Sequence, residues 1–190
     1  MSTLSAERLL LCALAAALTG CAGAKYEAPR DRYNTIDTGG QVFGPKEKWK
    51  EGEVTVPAYP ENDDLLPFDI AGPSQNAYYL DARSISIGTD GVVRYTLLTR
   101  SPAGVENVTY EGIHCEEREW KPYAFGRRDR TWAPAREATW ERVAQKSFEN
   151  FRFTLYRHYF CPDGFPRRKA DEAIAEIKRQ YQAGPLDKRR

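Results

Sequence analysis

"SISIGTDGVVRYTLLTRS", Ser84–Ser101, decides the fold class. Ser84–Ile87 and Val92–Arg100 carry β-branched and aromatic residues and flank Gly88-Thr89-Asp90-Gly91. Asp-Gly at the end of such a link supplies the backbone freedom that a tight hairpin needs. Val93, Tyr95 and Leu97 alternate with Arg94 and Thr96. A period of two puts the first set on a buried face and turns the second set toward water.

Working outward, Ser101-Pro102-Ala103-Gly104 is the next turn and Val105–Cys115 the next strand, with Val108 and Tyr110 on one face. Ile113 and Cys115 fall on the other phase, which predicts a β-bulge at Gly112 that turns them inward. "EWKPYAFGRRDRTWAP", Glu119–Pro134, reads as a further hairpin with its turn at Gly126–Asp129. Upstream, Pro57, Pro60, Pro67 and Pro73 cut residues 54–76 into short extended pieces that suit an edge or a loop. Short consecutive strands joined by tight turns predict an antiparallel meander.

The last third changes period. Ser147 is a candidate N-cap, and Phe148, Phe151, Leu155 and Tyr159 fall on one helical stripe. Phe151, Phe153 and Leu155 would also suit a strand. Pro162 stops this element. Ala170, Ala173, Ile174, Ile177 and Tyr181 form a second stripe, ended by Gly184-Pro185. The expected class is therefore α+β: an antiparallel β meander packed against two C-terminal helices, one domain over 49–183, with a solvated tail at 184–190.

Residues 1–20 read as an export signal: Arg8, then an apolar run Leu9–Leu18 that is far short of the roughly 20 residues a membrane-spanning helix needs. Leu18-Thr19-Gly20-Cys21 resembles the bacterial lipobox. That resemblance implies diacylglycerol on the Cys21 sulfur, cleavage after Gly20 and acylation of the new amine. Two or three acyl chains make a durable anchor where one is marginal. Ala22 in place of Asp points, by the same resemblance, to the outer membrane. The alternative is an ordinary leader and a soluble periplasmic product. Residues 22–48 are polar, with Pro29, Gly39-Gly40 and Gly44-Pro45. Read as a flexible tether, this segment spans about 30 Å on average; an arm packed through Tyr33, Ile36 and Phe43 is the other reading.

Composition sets outer bounds. The 190 residues carry 28 Lys and Arg against 27 Asp and Glu, so bulk charge gives no argument for nucleic acid. Hydrophobic residues at 41% and aromatics at 12% are enough for one globular core. Cys12 leaves with the leader and Cys21 takes lipid, so Cys115 and Cys161 remain. An even pair in an oxidising compartment predicts a disulfide, which would pin the first C-terminal helix to the sheet. The chain-entropy value for closing this 46-residue loop is about 4 kcal/mol. His114 and His158 beside these cysteines have the composition of a zinc site, but His114 and Cys115, adjacent on a strand, point to opposite faces.

Asp63-Asp64, Asp69 and Glu116-Glu117 read as surface acids, and no GxSxG, P-loop or HExxH motif is present. No catalytic residue, metal or cofactor is assigned. The basic groups are more suggestive. Arg127, Arg128 and Arg130 share one turn, with Trp132 beside them and Trp120, Tyr123 and Trp140 near in sequence; Arg167, Arg168 and Lys169 follow Cys161. Arginines with aromatics bind phosphate, carboxylate or sugar rings. In an envelope the available partners are lipopolysaccharide, peptidoglycan, lipid head groups or another envelope protein. A charged hairpin tip that only keeps the chain soluble is the plainer reading. The expected function is a lipid-anchored binding or scaffolding module; a hydrolase of envelope polymers, acting through carboxylates not paired in sequence, is the alternative.

"GVVRYTLLTRSPAGVENVTYEGIHC", "YAFGRRDRTW" and "YFCPDGFPRR" together resemble the cryptic neisserial protein-like family of small exported proteins with no assigned function. The resemblance covers most of 49–183. It implies a single exported domain and carries no catalytic residues to transfer.

Overall fold

The long strand expected at Val92–Arg100 forms, and it lies in the interior of an antiparallel sheet. A computed structural model of the chain describes residues 49–145, 150–184 and 186. Its strands are β1 (Leu65–Phe68), β2 (Ala77–Asp81), β3 (Ser86–Ile87), β4 (Val92–Arg100), β5 (Glu106–His114), β6 (Glu119–Gly126), β7 (Trp132–Pro134) and β8 (Glu141–Arg142). The spatial order is β1-β2-β4-β5-β6-β7, with β3 on β4 and β8 on β6. The signal segment, Cys21, the tether, Ser147, Phe148, Pro185 and residues 187–190 lie outside the described residues.

Two lanes of the sheet are interrupted strands. β2 and β3 both pair with β4, separated by a 3₁₀ turn at Ala82–Ser84. β7 and β8 both pair with β6, at its two ends. Pro122, which has no N–H to give, falls in the gap between them. Pro67 sits in β1, at the sheet edge where its residue type belongs. The first hairpin closes through Gly88 N–H to Val92 O at 2.9 Å.

The helical layer packs on one face. α1 (Phe151–Thr154) runs directly into a π-helical stretch, Leu155–Phe160, and α2 (Ala170–Gln182) follows. The wider π turn, closed by Cys161 N–H to Tyr156 O at 3.0 Å, brings Tyr159 and Phe160 inward together with Leu155. They meet Val93, Tyr95, Leu97 and Ile113 from the sheet and Ala173 and Ile177 from α2. The strand alternative for Phe151–Leu155 is thus excluded. Tyr181, expected in the buried stripe of α2, is instead 47% exposed.

Two further expectations are corrected. β5 pairs with β4 in unbroken register from Val92↔His114 to Arg100↔Glu106, so Gly112 is no bulge. The register shift lies between β5 and β6, where Tyr110 faces Ala124 and Glu111 faces Pro122, leaving Tyr123 as the extra residue. Ile113 and Cys115 need no phase change because β5 is buried on both faces. The same holds for β4: Arg94 is 6% exposed and Thr96 fully buried, not wet. Arg94 meets Glu51 of segment 49–60, an extended strap without strand pairing.

Candidate functional site

The strap is fixed by residues that the turn and strands of the sheet present to it. Asp90, in the first hairpin turn, accepts Gly52 N–H at 2.8 Å through its carboxylate and Trp49 Nε1–H at 2.8 Å through its carbonyl. Glu51 reaches Lys121 Nζ at 2.6 Å and accepts the Tyr123 hydroxyl at 2.7 Å. Arg94 binds Asp90 at 2.6 Å and lies 3.6 Å from Glu51. Two cations thus face two anions, and the cluster is neutral. Burial alone would raise the Asp90 carboxyl, but hydrogen bonds from Arg94 and from the backbone of Gly52 and Val92 outweigh it and hold its pKa at about 2. The Tyr123 hydroxyl is pushed up by burial and then by its bond to Glu51.

Aromatic contacts complete the seam. Trp49 stacks on His114 at 4.3 Å, and Trp140 closes against both rings. Two glycines make room: a Cβ on Gly112 would stand 2.5 Å from the Tyr123 hydroxyl, and one on Gly126 would stand 2.6 Å from the Tyr59 hydroxyl. The arrangement holds a segment of chain in place.

The candidate residues of the basic turn divide here. Arg130 donates to Pro60 O at 2.8 Å and lies over the Tyr59 ring; Trp132 donates to Pro57 O at 3.0 Å and packs on Tyr59. Both are occupied in holding the strap. Asp129 is taken up by the Thr131 hydroxyl at 2.6 Å. Arg127 and Arg128 remain exposed, on a turn closed by Arg127 N–H to Thr131 O at 2.8 Å and Arg130 N–H to Arg127 O at 3.0 Å. Of the sequence-predicted set, Arg130 and Trp132 are engaged with the strap, Arg130 while still exposed and Trp132 half-buried, and Arg127 and Arg128 extend from the turn into solvent.

Cys115 and Cys161 are joined, with Sγ–Sγ at 2.09 Å, and both are buried. One follows β5 and the other the π-helical stretch, so the bond fastens the first helix to the sheet. His114 lies on the opposite face against Trp49, which separates it from the cysteines; the metal constellation does not assemble. Near the start of the same helix, Glu111 is fully buried and receives Arg152 at 2.7 and 2.9 Å, Tyr95 at 3.1 Å and Thr109 at 2.8 Å. Arg152 also lies 3.3 Å over the Trp120 ring. This network was not among the sequence candidates. Its only signal was an acid set between Tyr110 and Gly112-Ile113 in the half of β5 that carries the apolar residues.

Asp64 and Asp81 line a small cleft of about 170 Å³ with Glu61 and Arg83. Burial pushes the Asp81 carboxyl up, opposed by the Arg83 N–H and assisted by the charge of Asp64. Its carboxylate caps the Ala82–Ser84 turn, and Asp64 pairs with Arg83 at 3.4 Å. This pair builds the turn.

A cysteine pair clamping two layers, a strap seated in glycine notches and an arginine turn all fall within 45–178, the residues matched by the profile of the CNP1-like family. Cryptic neisserial protein 1 of Neisseria gonorrhoeae (strain ATCC 700825 / FA 1090) is 29% identical over 136 residues, which cover 63% of this chain. The chain spans 66% of that relative's length. No solved structure matches the chain. The strap, sheet and helices described above are therefore the framework of a family match that takes in most of the sequence, and the chain belongs to the CNP1-like family.

Proposed function

We propose that the chain is a lipid-anchored binding or scaffolding module on the periplasmic face of a bacterial outer membrane. Its contact surface is the tip of the β6–β7 hairpin. The observation that carries this reading is the division of the basic turn. Arg130 and Trp132 tie it to the strap, while Arg127 and Arg128 project from a closed backbone, with no salt bridge to either among the described residues. The closed turn fixes the backbone that carries the two guanidinium groups, and each planar fork matches a phosphate or carboxylate. The compartment is supported by the Leu18–Cys21 pattern together with a disulfide between the two remaining cysteines.

The test uses the full chain with Arg127→Ala and Arg128→Ala together. Retention on isolated envelope material at low salt should fall severalfold, with the denaturation midpoint unchanged. Retention equal to wild type rejects the hairpin as the contact. The anchor is tested separately: the mature protein should begin at Cys21 and carry acyl mass, and Cys21→Ser should release it to the soluble periplasmic fraction.

A further inference from the structure

A cleft of about 340 Å³ lies at the β1–β2 edge of the sheet, the opposite end of the strand order from the arginine hairpin. That volume is at the lower end of the ~300–1,000 Å³ typical of small-molecule sites. Its walls are β1, β2, the loop between them and Tyr181 of α2. The loop is tied down from below: Ala71 N–H donates to Thr154 Oγ1 at 2.9 Å, Asn76 N–H to Ser74 Oγ at 3.1 Å, and the Tyr159 hydroxyl to Asp69 O at 3.1 Å. The cleft is therefore preformed.

Its lining has a specific chemistry. Asp69 is the one charged residue on it, so it offers nothing to a phosphate or a carboxylate. Tyr78 and Tyr79 have committed their hydroxyls, to Ser74 at 3.0 Å and to Arg100 at 3.4 Å. Among the described residues nothing pairs with the Asp69 side-chain carboxylate or the Tyr181 hydroxyl. What remains is an exposed tyrosine ring at the rim and a carboxylate with two acceptor oxygens. A ring with a C–H face and adjacent hydroxyls satisfies both: the face stacks on the tyrosine, and neighbouring hydroxyls donate to the two carboxylate oxygens. We infer that this cleft is a saccharide-binding site for a short neutral sugar segment, with Tyr181 as the stacking platform and Asp69 as the hydroxyl acceptor.

The test titrates the intact chain with the uncharged trisaccharide of N-acetylglucosamine and follows backbone amide shifts. Saturable shifts should map to Asp69, Asn76 and Tyr181. Tyr181→Ala should weaken binding about tenfold, Asp69→Asn severalfold, and Tyr181→Phe, which keeps the ring, much less than Tyr181→Ala. Arg127→Ala with Arg128→Ala should leave it unchanged, so this site and the hairpin fail or stand separately. Absence of saturable shifts, or equal affinity in Tyr181→Ala, overturns the inference. So does tighter binding of trilysine than of the sugar, which would make Asp69 a cation site instead.

Discussion

Arg152 holds both carboxylate oxygens of Glu111, on the same face of β5 that leads four residues later to Cys115. The first helix is thus fastened near its start by an ion pair and at its end by a disulfide. Removing Arg152 strands a fully buried carboxylate. Arg152→Ala should cost about 3 kcal/mol, toward the low end for breaking a buried pair because Arg152 keeps 28% of its side chain exposed. Arg152→Lys should recover little, since an ammonium cannot bridge two oxygens and stack on Trp120. Urea denaturation at neutral pH reads both.

The disulfide at the other end makes a distinct prediction. Cys115→Ser with Cys161→Ser should lose about 4 kcal/mol, the chain-entropy value for a loop of this size. Native wild type should be two hydrogens lighter than its reduced form and resist thiol reagents until unfolded, because both sulfurs are buried.

Asp90 predicts an acid limb. Its folded pKa of about 2 lies below the ordinary 3.8, so the folded state prefers the charged form. The associated stability is present above pH 4 and disappears as pH falls toward 2. Its size is about 2 kcal/mol, with little screening because the Asp90 side chain is 5% exposed. Asp90→Asn should lower stability at neutral pH and flatten the profile between pH 4 and 2. A variant that keeps the wild-type slope there would contradict this assignment.

Gly112→Ala places a methyl 2.5 Å from the Tyr123 hydroxyl and should cost about 1–3 kcal/mol. Tyr123→Leu in the same chain should return part of that loss, because it removes the clashing oxygen. Tryptophan fluorescence should report the strap, since Trp49 stacks on His114 only while the strap is seated.

The hairpins, the helical stripes and the cysteine pair were legible because each is written in local period or spacing. The contact between the strap and β4 was not. Arg94 looked solvent-facing because the strap that brings Glu51 to it is irregular and lies some forty positions upstream, with no period to announce it. One clue was present: Val92-Val93 and Leu97-Leu98 are adjacent apolar pairs, which a strand wet on one side has no use for. The bulge was given to the wrong strand because a register shift belongs to a pair of strands, and one sequence alone does not say which partner holds the extra residue. Among the basic-turn candidates, Arg130 and Trp132 were chosen by proximity; only the carbonyls of Pro57 and Pro60 distinguish them from Arg127 and Arg128.

The broken lanes of the sheet also govern how this molecule can meet others. One border is β1, four residues long and holding a proline; the other is divided into β7 and β8. Neither border gives a visiting polypeptide an unbroken row of amide donors and acceptors, so growth of the sheet by annealing to a second chain is suppressed. Association is left to side chains that project beyond the backbone, which makes recognition by this scaffold replaceable residue by residue without disturbing its architecture.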